Sequence, residues 1–117
     1  MCEKYNGWAN YETWAMELWN SNESSTDATI NDGVYELVKQ MQEDGEDDID
    51  ILTAAAHHIE ELSQMFWKDD FDERNFNASF GPISDYVNSS WAMINWHEIA
   101  RHRVDAALEQ LKEEADE

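Results

Sequence analysis

The chain has 117 residues, with 27 Asp and Glu against 7 Lys and Arg for a formal net charge of -20, and with 6 Trp, 4 Tyr and 4 Phe. The aromatic content excludes an acidic disordered chain, which lacks apolar groups to offset the entropy of ordering. The charge argues against direct binding to nucleic acid or an anionic membrane surface.

The size fits one domain over residues 1–117 with a single core. The lone Cys2 closes no intramolecular disulfide. Met1 to Trp19 has no unbroken apolar run of the signal-peptide kind, and no stretch approaches the ~20 apolar residues of a membrane span. A cytoplasmic protein is the expectation, free of membrane and of cofactor.

Asn10 is a helix N-cap residue and Glu12 stands in the first turn, where the macrodipole favours an anion. Tyr11, Trp14, Ala15, Leu18 and Trp19 then recur at helical spacing as one aromatic stripe. The polar segment from Asn20 to Thr26 reads as a loop. A second helix starts at Asp27 or Thr29 and carries Ile30, Val34, Leu37, Val38 and Met41; Gly33 weakens its first turns and Gly45 ends it.

Gly45 lies inside a run in which Glu43, Asp44, Glu46, Asp47, Asp48 and Asp50 crowd eight positions. A third helix is expected from about Asp48 to Lys68, with Ile51, Leu52, Ala55, Ala56, Ile59, Leu62 and Phe66 inside and Glu60, Glu61 and Gln64 outside. Asp69 to Gly81, holding Asp69, Asp70, Asp72 and Glu73, reads as an ordered loop pinned by Phe71, Phe76 and Phe80.

Pro82 suits the first position of a fourth helix with Ile83, Tyr86, Val87, Trp91 and Ile94 on its apolar face. Asn95 followed by Glu98 approximates a capping box that starts a fifth helix through Ile99, Val104, Ala107, Leu108 and Leu111. Glu113 to Glu117 lack apolar anchors and should fray. Without strand-period alternation, the fold class is all-α, a small orthogonal bundle of four to five helices.

Asn10-Tyr11-Glu12-Thr13-Trp14 and Asn95-Trp96-His97-Glu98-Ile99-Ala100, with Tyr5-Asn6-Gly7-Trp8, resemble signatures of a family of small acidic proteins of uncharacterised function. That family is encoded by bacteriophages, haloarchaea and other mobile-element-rich genomes. The resemblance implies a helical fold and a mobile-element setting, and no activity. Physically, both segments read as helix starts that pack the two terminal helices together.

Enzymatic signatures fail on spacing. His97-Glu98-Ile99-Ala100-Arg101-His102 places the second His at i+5, about 140° round a helix from the first, whereas zinc proteases need i and i+4. His57 and His58 diverge on a helix, one of them lining the buried edge as a satisfied polar residue. Calcium loops fail too: from Asp27, Asp32 holds the Gly position and Val38 the Glu position; from Asp44, Ile49 holds the Gly position. No catalytic, metal or cofactor site is expected, and the chain reads as no enzyme.

Lys4, Lys39, Lys68, Arg74, Arg101, Arg103 and Lys112 are scattered among acids, so phosphate contact is not the use of this surface. The inverse is: carboxylates at i and i+4 on a helix lie ~5 to 6 Å apart, comparable with the spacing of backbone charges on a duplex. The expected role is an inhibitor that occupies the nucleic-acid site of a basic host defence protein, a nuclease or CRISPR effector. The expected partner-binding residues are Glu43, Asp44, Glu46, Asp47, Asp48, Asp50, Asp69, Asp70, Asp72 and Glu73. A third patch is Glu109, Glu113, Glu114, Asp116 and Glu117. Trp8, Phe71 or Phe76 would add apolar specificity. The alternative is an interaction or assembly module that uses an exposed aromatic patch, a homodimer among its forms; salt adaptation and plain solubility are the bland accounts of the charge.

Overall fold

Three apolar ladders make the core. Ile30, Val34 and Val38 recur every fourth residue, as do Ile51, Ala55 and Ile59, and Ile99, Ala100, Val104 and Ala107 keep helical spacing near the C-terminus; all are buried in one cluster with Ala56 and Ile94. The computed structural model describes residues 5–69 and 82–116. Among them are helices α1 (Tyr11–Asn22), α2 (Ser24–Glu43), α3 (Asp48–Ser63), α4 (Pro82–Ala92) and α5 (Trp96–Ala115), with a π-helical turn at Gln64–Lys68 continuing α3. The fold is a small all-α bundle. The expected loop from Asp69 to Gly81 lies, apart from Asp69, outside the described residues.

The direction of the core helices follows from contacts along their length. Arg103 of α5 meets Asp27 and Asn31 of α2, and further along both helices the Tyr35 hydroxyl donates to Glu114 at 2.7 Å. These two helices therefore run the same way. α3 runs against α5: Ala56 and Glu60 line one pocket with Asn95 and Trp96, while nearer the start of α3 Asp48 and Ile51 line another with Leu108; His58 lies beside Gly33 of α2. α1 lies across the end where α3 finishes and α5 begins.

The segment expected as a loop at Asn20 to Thr26 is helical except at Glu23. Its polar side chains are held by partners rather than by water: Asn20 donates to Ser63 Oγ at 3.0 Å and accepts from Trp67 Nε1 at 2.7 Å. Glu23 closes α1 with its backbone N–H on the Trp19 carbonyl and caps α2 by accepting from Ser25 N. α2 thus starts three residues before Asp27. It ends as expected at Gly45, whose φ of 80° permits two closing bonds, Gly45 N to Gln42 O and Glu46 N to Met41 O.

The two resembling segments interlock. Asn10 caps α1 by accepting from Thr13 N at 2.9 Å, and its amide donates to the Met93 carbonyl at 2.7 Å. Asn95 caps α5 by accepting from Glu98 N at 3.1 Å, while its own N–H donates to Thr13 Oγ1 at 2.8 Å. The Glu98 carboxylate, which a capping box would turn back on Asn95, instead accepts from Ala9 N at 2.9 Å. Asn95 takes Thr13 from the other motif and Asn10 takes the Met93 carbonyl two residues ahead of Asn95, so the two terminal helices are joined where they start.

Before α1, Tyr5 and Trp8 exchange backbone bonds of 2.7 and 2.8 Å across Asn6 and Gly7, both at positive φ. Such a turn selects Asn-Gly. It sets Tyr5 against Tyr11 and Trp14 and lays Trp8 over His102, with ring centroids 4.4 Å apart.

α5 runs through Ala115, beyond Glu113 where fraying was expected. No helix among the described residues is long and apolar enough to cross a membrane.

Candidate functional site

Helix direction decides which acidic runs meet. The turn from α2 to α3 lies against the middle of α5: Gly45, Glu46 and Asp48 line one pocket with Leu108, and Asp48 reaches Arg101. Glu43, Asp44, Glu46, Asp47, Asp48 and Asp50 are all exposed there, and Glu109, Glu113, Glu114 and Asp116 on α5 are exposed too. Asp69 is exposed at the far end of the π turn, on the order of 30 Å from Asp48 at 1.5 Å per residue. The expected first and second patches therefore occupy opposite ends as far as Asp69 goes; Asp70, Asp72 and Glu73 lie outside the described residues. The third patch starts at Glu109, one residue beyond the Leu108 that lines a pocket with Gly45, Glu46 and Asp48.

Part of the acidic run is structural. Asp47 Oδ1 caps α3 by accepting from Asp50 N at 2.8 Å, and Asp44 accepts from Gln40 at 3.1 Å. Asp48 pairs with the Arg101 guanidinium through contacts of 3.0 and 3.4 Å. The hydrogen bond from Arg101 holds the Asp48 carboxyl below its usual pKa, against the opposing effect of desolvation and with a further contribution from the guanidinium charge. Further along α5, the bond to Glu114 raises the Tyr35 hydroxyl above its usual value.

The opposite end inverts the usual arrangement. Along α1, the residues turned inward are Thr13, Glu17 and Asn20, all buried, while Tyr11, Leu18 and Trp19 of the aromatic stripe are exposed. Glu17 faces Arg103, which is also buried and donates to it through Nε at 3.2 Å and Nη2 at 2.6 Å. Nη1 of Arg103 reaches Asp27 at 2.7 Å and Asn31 at 2.6 Å. Burial works against the charge of Arg103, but the bonds to Glu17 and Asp27 outweigh it and hold its pKa above the usual value. Sequence reasoning counted Arg103 among scattered cations; the i, i+4, i+7 spacing of Thr13, Glu17 and Asn20 was the signal for a polar inward face.

His58 also departs from expectation. Its ring lies on Gly33 so closely that a Cβ there would overlap Nε2, and that buried nitrogen has no hydrogen-bond partner among the described residues. His57 instead faces solvent and contacts Glu61 at 2.9 Å. No group of three or more His, Cys, Asp or Glu among the described residues is arranged to hold a metal ion.

The outward stripe of α1 forms one wall of an open groove. Tyr11, Ala15, Met16 and Trp19 face Tyr86, Val87 and Trp91 of α4, with Ile94 just past its end, across a cavity of about 410 Å³. Trp19 continues the apolar surface onto Trp67, with ring centroids 6.2 Å apart. A family model described as a family of unknown function, DUF7249, matches residues 1–117. The chain belongs to that family. No curated protein and no solved structure matches it. What this DUF7249 chain offers a partner is therefore read from its two ends: a carboxylate-rich one, and an aromatic one with a groove. Trp8, expected to be an exposed specificity residue, is half-buried against His102 instead, and Phe71 and Phe76 lie outside the described residues.

Proposed function

We propose that this DUF7249 protein is a non-enzymatic acidic inhibitor of a host nucleic-acid-binding defence system, of the anti-CRISPR or anti-restriction kind. It would be encoded by a phage or mobile element, act in the host cytoplasm, and occupy a positively charged DNA- or RNA-binding site by displaying carboxylates in place of phosphates. The observation that supports this reading is the α2–α3 turn lying against α5 at Leu108, one residue before the acidic run that begins at Glu109. Glu43, Glu46 and Asp50 are exposed at that turn. A field of this kind speeds association with a basic site and weakens with salt.

Tagged protein incubated with host lysate at low salt should capture a nuclease or CRISPR component that added duplex DNA displaces. The triple variant Glu43→Gln, Glu46→Gln, Asp50→Asn, which spares the Asp47 cap and the Asp48 pair, should lose that capture and keep its helical content. Capture indifferent to salt, to DNA and to these substitutions would sink the reading. The exposed aromatic residues at the other end favour a second reading, an interaction or assembly module, for which binding survives high salt and fails when Trp19 is substituted.

A further inference from the structure

The groove between α1 and α4 is open and lined mostly by apolar side chains. Its rims stand out of the surface: Tyr11 is 56%, Trp19 62% and Tyr86 69% exposed. Tyr11, Ala15 and Trp19 follow at i, i+4 and i+8 on one wall, a helical ridge ~12 Å long at 1.5 Å per residue, and Val87 and Trp91 follow at i and i+4 on the other, with Ile94 closing it just past the end of α4. The Asn10 bond to the Met93 carbonyl joins the walls at one end. Two ridges of this spacing are shaped to receive the side chains of a third helix.

We propose that this groove is a docking site for a cationic amphipathic helix of a partner protein. Charge chooses the occupant. A second copy would bring another -20 against a chain of -20, whereas a helix with Lys and Arg flanking its apolar stripe meets Glu12 in the groove wall and exposed Asp85 beside Tyr86. The apolar stripe fills the trough, and the exposed aromatic rims fold over it and become buried, the setting in which Trp and Tyr act as binding anchors. The inference takes from the functional reading only that the partner is basic.

The test is calorimetric titration of the full chain, at physiological salt, with a Leu/Lys peptide of three to four helical turns patterned with one apolar face. A sequence isomer without that face and a Leu/Glu peptide of the same pattern serve as controls. The Leu/Lys peptide should bind saturably and blue-shift tryptophan emission, with the isomer and the Leu/Glu peptide about tenfold weaker or worse. Trp19→Ala and Tyr86→Ala, both at exposed positions, should each weaken binding by about tenfold while leaving the circular dichroism unchanged. The Glu43, Glu46, Asp50 triple variant should bind it within about twofold, which separates failure here from failure of the acidic-end reading. Equal affinity for the isomer, or indifference to both aromatic substitutions, would show attraction by bulk charge alone and overturn the proposal. Sedimentation as a dimer that Trp19→Ala dissociates would assign the groove to a second copy and overturn it as well.

Discussion

The two ends of this bundle are built by opposite rules. At the acidic end, an aliphatic core lies beneath a surface of carboxylates, and apart from the caps and the Asp48–Arg101 pair those charges face solvent. At the aromatic end, polar and charged groups go inside and rings go outside: Thr13, Glu17, Asn20, Ser63 and Arg103 are buried while Tyr11, Trp19 and Tyr86 are not. Hydrophobic burial is indifferent to direction, whereas a guanidinium with fixed donors accepts few geometries. α1 is therefore positioned by hydrogen bonds, and its rings are left for another use.

The largest way to break that difference is to remove the buried cation. Arg103→Met should cost about 3–5 kcal/mol, because Glu17 and Asp27 lose their counter-charge in a desolvated site. Urea unfolding checks it, and adding Glu17→Met to the variant should recover a large part of the loss. If Arg103→Met is neutral, α1 is not held by this network.

Gly33→Ala comes next. In an ordinary helix interior this exchange stabilises by up to about 1 kcal/mol, yet here the new methyl meets the His58 ring, and overpacking of this kind costs about 1–3 kcal/mol. Thermal melts should show a destabilised single variant and a double variant with His58→Ala that regains stability. Asn10→Ala removes a cap worth ~1 kcal/mol together with the amide bond to Met93, so it should loosen α4 as well as α1; amide exchange at Trp91 and Met93 reads the second effect.

The smallest effects sharpen the other end. The Asp48 pKa is lowered in the folded state, so its contribution to stability is present above the unfolded value and lost as pH falls through the folded one. The difference in melting temperature between the wild-type chain and Arg101→Met should therefore be slight at neutral pH and close below about pH 4. For Tyr35 the pKa is raised, so the sign reverses: its contribution holds below the unfolded value and disappears as pH rises through the folded one. Tyr35→Phe should flatten the alkaline limb above about pH 10.

Apolar periodicity made most of the fold legible. Ile30, Val34 and Val38, or Ile51, Ala55 and Ile59, leave one helix face to bury, and Asn10, Asn95 and Gly45 mark ends that the structure keeps. What composition concealed was partnership. Asn20, Asn22, Ser24 and Ser25 have loop character, but Asn20 is buried on Ser63 and Trp67, and the helix runs on. The aromatic stripe of α1 was visible; its outward direction was not, because it depends on Arg103, 86 residues from Glu17 in sequence. The same holds for the candidate site. The acidic runs are plain in the sequence, but whether one run meets another depends on the directions of α2, α3 and α5.

Glu23 is the only non-helical residue between α1 and α2. Most surface connections accept insertions at little cost, but this one behaves as a fixed gear. One residue added or lost between Asn20 and Thr26 turns α1 by about 100°, taking Glu17 away from Arg103 and carrying the rim of the groove round with it. An indel at this joint therefore changes which face the protein shows to the outside.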